Sequence, residues 1–146
     1  MCGLVGMAGS LHKIHEDLFT HLLIVDVIRG PDSTGVAAVS SAGDITVVKR
    51  PWIPHDLIQL PAYKGILAQS NRVLIGHNRW ATKGKINSLN AHPFEHDKIV
   101  GAHNGTLNRQ HLLPDHTKFE NDSDNLLYSI AKQGIDATYK DMDGDG

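Results

Sequence analysis

The chain changes its apolar rhythm several times, and each change predicts an element. Residues 3–8 are apolar and studded with glycine, the pattern of a buried strand that lets other backbone come close. Beyond Ser10, the residues Ile14, Leu18, Leu22, Val25 and Ile28 recur at steps of three and four. That spacing predicts a helix over residues 10–29, capped by Ser10 and burying this stripe. Leu23, Ile24 and Val27 widen the second half, so that end is expected to be covered on more than one side. Gly30-Pro31 stops it. Residues 33–40 and 45–49 then read as two strands around a Ser41-Ala42-Gly43-Asp44 turn, which makes a hairpin.

Three prolines punctuate residues 51–71 and predict short helices laid over a surface. Residues 73–76 form an apolar strand running into His77-Asn78-Arg79-Trp80, and residues 83–90 a polar loop. Residues 99–102 read as another buried strand ending at His103-Asn104-Gly105. Asp122-Ser123 opens a helix carrying Leu126, Leu127, Ile130 and Ala131, stopped near Gly134, and the tail from Asp141 is polar. No internal repeat, linker or βαβ alternation interrupts the order. The expectation is one α+β domain over residues 1–146, layered and with mostly antiparallel sheets.

Composition narrows the function classes. With 146 residues the chain is long enough to bury a real core. A formal net charge of −2 argues against a nucleic-acid or anionic-membrane partner. The N-terminus lacks the basic flank of a signal peptide, and no apolar run approaches the roughly 20 residues that span a bilayer. One cysteine forms no internal disulfide, which fits a cytoplasmic protein.

That cysteine is Cys2. If Met1 is trimmed, one residue carries both a thiol, titrating near ~8.5, and an α-amine near ~7.7–8.0. The amine is then a built-in base for the thiol. Taken alone, the stretch reads either as such a nucleophile or as an idle thiol at a frayed end. Other polar stretches follow apolar elements: Arg29-Gly30-Pro31-Asp32-Ser33-Thr34-Gly35, His77 to Gly84 with Asn90-Ala91-His92-Pro93 behind it, His103-Asn104-Gly105, and Asp124 in the first turn of the last marked helix.

In this order the motifs resemble the glutaminase domain of the class II glutamine amidotransferases, within the N-terminal-nucleophile hydrolase superfamily. They are most similar to those of glucosamine-6-phosphate synthases. The resemblance covers residues 2 to 124 and implies an αββα sandwich. It also implies hydrolysis of the glutamine side-chain amide through a Cys2 thioester, giving glutamate and ammonia, with no cofactor. Asn104 and Gly105 would then donate to the oxyanion. The planar fork of Arg79 would take the substrate carboxylate, Thr82 would add a hydrogen bond, and Asp124 would hold the ammonium. The backbone of Trp80 would line the pocket, although the ring by itself reads as core. Arg29 would steady the terminus of Cys2, with Asp32 and Ser33 holding that turn. His77, His92 and His103 are expected to be structural hydrogen-bonding residues, because the α-amine already fills the acid–base role.

Several signals count for less. His12 with His15, and His92 with His96, could share helix faces, but neither pair has a third ligand, so no metal is expected. The tail Asp141-Met142-Asp143-Gly144-Asp145-Gly146 matches only half of a calcium loop. Lys83 stands where the resembled synthases usually have histidine, so closure over substrate is expected to differ. The part after the Asp124 helix is shorter than the family's usual domain, and no acceptor-side domain is present. Ammonia would therefore pass to a separate synthase partner or be released. The alternative is a catalytically idle glutamine-sensing or interaction module on the same fold.

Overall fold

The computed structural model describes residues 1–142 and the backbone of residues 144–145. Its centre is a four-stranded antiparallel sheet made of β1 (Gly3–Ala8), β2 (Ser33–Ser40), β3 (Ile45–Arg50) and β4 (Asn71–Arg79), in the order β1-β4-β2-β3. The expected hairpin is β2–β3, with Val36 opposite Val48. The strand predicted at residues 73–76 is longer at both ends, because β1 and β2 both pair with it.

Strand alternation sorts the residues of this sheet onto two faces. One carries Val5, Val36, Ala38, Val48 and Leu74, packed against Phe19 and Leu23 of α1 (Lys13–Val25), Leu57 of α2 (Pro54–Leu57), and Tyr63 and Ile66 of α3 (Pro61–Leu67). Proline in the first turn of both short helices occupies a place where its missing N–H costs nothing. The other face carries Gly35, Lys49, His77 and Arg79 toward the rest of the chain.

There, β5 (Phe94–His96) and β6 (Ile99–Gly101) pair antiparallel, as do β7 (Thr106–Leu107) and β8 (Gly144–Asp145). The helix α4 (Asp122–Gln133) packs on them through Leu126 and Leu127, closing a second core with Phe94, Leu107 and Leu113. Asn121 caps α4 by accepting the N–H of Ser123. A further helix, α5 (Ile135–Asp141), had no apolar signature to announce it. The architecture is layered α+β with antiparallel sheets. Asp143 and Gly146 of the half calcium loop lie outside the described residues.

The first helix departs from expectation in extent and in orientation. It begins at Lys13, and its last turn tightens to a 3-10 segment at Asp26–Arg29. His12 rather than Ser10 precedes it, its N–H donating to Nδ1 of His15 at 3.0 Å. The predicted buried stripe faces out: Ile14 is 74% exposed, Leu18 50% and Ile28 83%. The buried face is instead Glu16, Phe19 and Leu23. The cause lies on β4, where a Cβ at Gly76 would stand 2.8 Å from Leu23 and 3.0 Å from Phe19. The hollow over that glycine seats these two side chains and sets the helix rotation.

Candidate active site

The nucleophile candidate is delivered by strand register. Gly3 pairs with Asn78, so Cys2 comes to lie beside Arg79 and Trp80. Its Sγ accepts the Trp80 N–H at 3.3 Å and stands 3.5 Å from the Trp80 carbonyl oxygen. The Cys2 N–H donates to Oδ1 of Asn104 at 3.2 Å, and Nδ2 of Asn104 donates back to the Cys2 carbonyl at 2.8 Å. Nε of Arg29 donates to the same carbonyl at 3.1 Å. The turn after α1 is clamped to the end of β4: Asp32 accepts the Ala81 N–H at 2.8 Å and gives its own N–H to the Arg79 carbonyl. Gly30 is required there, since a Cβ would sit 2.4 Å from the Arg79 carbonyl carbon.

Cys2, Arg79, Thr82, Lys83, Gly105 and Asp122 line one narrow cavity of about 20 Å³. A second cleft, of about 330 Å³, also borders Cys2 and is bounded by Trp80, Thr82, Asn104 and Gly105. The Trp80 side chain is 53% exposed, so it is not core; its contact with the thiol is through backbone. Arg79 is buried, and its Nη atoms donate to the carbonyls of Lys83 and Lys85.

The acid in this cavity is not the expected one. Asp124 lies outside it, facing a separate cleft with Lys85, Asn90 and Phe119, and its Oδ1 is 2.7 Å from Nε2 of His96. Asp122, 5% exposed, is the carboxylate beside Cys2 and Arg79. It accepts the N–H groups of Leu107 and Ser123 and lies 3.6 Å from Nζ of Lys83. Residues two apart on a helix point in different directions, so the Asp-Ser-Asp stretch could not say which of its acids faces the site.

The histidines divide. His103 bonds Ser123 through Nδ1 at 3.0 Å, as a structural residue should. His77 and His92 differ from the expectation, because no ring nitrogen of either meets a hydrogen-bond partner in good geometry; their rings stack with centroids 4.1 Å apart. Burial, then the nearby Arg79 charge, pushes His77 down to about 4. Burial, followed by the adjacent His77, holds His92 well below the ordinary imidazole range. Both are neutral at physiological pH.

The loop carrying His92 rests directly on the sheet. A Cβ at Gly35 would meet the His92 carbonyl at 2.0 Å. Nζ of Lys49 donates to the Ala91 carbonyl at 2.7 Å and sits 4.4 Å from the Phe94 ring centre. Burial lowers Lys49 to about 8. Asp122 in the cavity and Lys49 under the adjoining loop are charged groups that the sequence did not single out. Among the described residues no cluster of His, Cys, Asp and Glu is arranged to hold a metal, and no helix is long and apolar enough to cross a membrane.

The structure thus brings Cys2, Arg29, Asp32, Arg79, Thr82, Asn104 and Gly105 together, with Asp122 lining the cavity and Asp124 outside it. No family model matches the chain. Curated relatives do. The chain is 30% identical over 151 aligned positions to the glutamine–fructose-6-phosphate aminotransferase of Sulfolobus acidocaldarius, covering 94% of itself and 25% of that protein. It is 35% identical over 113 positions to that of Yersinia pseudotuberculosis (77% and 18%). With the protein of Mycolicibacterium paratuberculosis it shares 34% over 131 positions (85% and 21%). It spans about a quarter or less of the relatives it matches. Along most of its own length the chain is therefore similar to one part of the glutamine–fructose-6-phosphate aminotransferases, which supports the likeness to a glutaminase domain carried by its motifs.

Proposed function

We propose that residues 1–146 form one glutaminase domain that hydrolyses the side-chain amide of glutamine with Cys2 as nucleophile, once Met1 has been removed. The observation that carries this reading is that Cys2 lines the same cavity as a buried guanidinium, Arg79, and a buried carboxylate, Asp122. Glutamine needs both charges, for its α-carboxylate and α-ammonium. While Met1 is attached, the nitrogen of Cys2 is an amide and has no basic lone pair. Freed, it becomes the base that takes the thiol proton.

The thiolate then attacks the amide carbon, and the new oxyanion is met by the Gly105 N–H and Nδ2 of Asn104. The ammonium of Cys2 returns its proton to the departing nitrogen, ammonia leaves, and water hydrolyses the γ-glutamyl thioester to glutamate. Asn104 already binds both backbone polar groups of Cys2, so the oxyanion donor and the nucleophile are held as one unit. Arg29 and Asp32 position the Cys2 backbone and the end of β4. The relatives' name supplies glutamine as amide donor. Ammonia would go to an acceptor domain or a partner protein, in the cytoplasm, with no cofactor taking part in the hydrolysis.

The test is glutamate release by Met1-free protein. Turnover lost to background in Cys2→Ala supports the nucleophile. Equal turnover by Cys2→Ala, or by protein that retains Met1, sinks it. Removing an oxyanion donor in Asn104→Ala is expected to cost ~3–4 kcal/mol of transition-state stabilisation, read as kcat.

A further inference from the structure

The loop that closes this site carries, in one short segment, the charge pattern of an α-amino acid. Carbonyl oxygens of Lys83 and Lys85 sit on the two Nη atoms of Arg79, where a substrate carboxylate would bind. The ammonium of Lys83 donates to the Leu107 carbonyl at 3.2 Å and lies 3.6 Å from Oδ2 of Asp122, where a substrate ammonium would bind. Lys83 is the only cation paired with Asp122 among the described residues. With the segment in place, the cavity beside Cys2 holds about 20 Å³, room for about one water molecule, which needs roughly 10–15 Å³ on the same scale. No amino acid fits until the segment withdraws.

We propose that Lys83 is a specificity-determining residue that competes with substrate, its ammonium standing on the Asp122 carboxylate until an α-ammonium displaces it. The inference rests on the reading of Arg79 and Asp122 as the amino-acid subsite. Lys83 can perform the exchange because its side chain is 43% exposed while that of Asp122 is 7% exposed. The charge therefore has solvent to move into, and the carboxylate is left needing a replacement. A ligand bringing its own ammonium supplies one, whereas an amide without it leaves the carboxylate uncompensated. The self-occupied fraction lowers apparent affinity by the same factor by which it depletes the open state.

The experiment measures L-glutamine binding by calorimetry to Met1-free Cys2→Ala protein, alone and with Lys83→Met or Lys83→Arg added. Lys83→Met is expected to tighten Kd about fivefold, the size of one partly exposed ion pair, and Lys83→Arg to leave it near the parent value. In the Cys2-bearing protein the same change should appear in KM, with kcat within about twofold. A Kd in Lys83→Met that is unchanged or weaker, on a protein with parental melting temperature, overturns the proposal. Should Lys83→Met lose the fold, Lys83→Gln takes its place: a tighter Kd supports the proposal, and an unchanged or weaker one overturns it. Absence of glutamine binding by the Lys83-bearing parent would bring down the subsite reading itself, and with it this inference, and it is recognised before any Lys83 variant is compared.

Discussion

The two faces of the four-stranded sheet use the same strands for opposite purposes. On the helix-covered face Val5, Val36, Val48 and Leu74 meet Phe19, Leu23 and Leu57. Apolar atoms meet apolar atoms there, and the energy comes from area removed from water. On the other face His77 and Arg79 are buried with Gly35 and Lys49 beneath a loop. That second face is costly. Arg79 is satisfied by loop carbonyls, yet His77 and His92 bury ring nitrogens that meet no hydrogen-bond partner in good geometry. The first face supplies stability, and the second consumes some of it to hold charge and thiol in a fixed place.

The contrast can be broken most strongly from the stable side. Leu74→Ala removes a fully buried side chain from the helix-covered face and is expected to cost about 2–5 kcal/mol in urea unfolding, with the site's KM unchanged in the protein that remains folded. On the polar face, Asp122→Asn is expected to raise the glutamine KM by about 30-fold or more, through loss of the buried countercharge. Asp124→Asn should shift it less than about threefold, because Asp124 lies outside the cavity and is partnered by His96. Equal effects of the two would return the ammonium role to Asp124.

Acid should probe the stacked histidines. Each is held neutral in the fold, while the unfolded chain takes up protons near ~6.5. As pH falls from there towards 4, the unfolded state binds protons that the folded state does not, so stability declines; above about 6.5 the effect is flat. For His77 this amounts to about 2 kcal/mol by pH 5. It is measured as a shallower stability–pH slope in His77→Gln. The smallest expected effect lies outside both faces: Leu18→Gln on the exposed side of α1 should change stability by no more than about 0.5 kcal/mol.

Much of this arrangement was legible from the chain alone. The β2–β3 hairpin was visible because β-branched runs flank a glycine-bearing turn. The start of α4 was visible because a polar cap precedes an apolar helical stripe. The motifs around Cys2, Arg29, Arg79 and Asn104 were visible because each short polar stretch adjoins an apolar element, and the fold brings them into contact. Strands of two or three residues, such as β5 and β7, are too short to show a period.

What the chain determined unaided was therefore its strand and helix vocabulary, together with the kinds of group its chemistry would use. The folded molecule alone decided three further points: that Phe19 and Leu23 rather than Ile14 and Leu18 face the sheet, that Asp122 rather than Asp124 enters the cavity, and that Lys83 stands on that acid. The physical reason is common to all three. Periodicity says which residues share a side of an element, but only the hollow over Gly76 and the cavity at the end of β4 say which side is turned inward.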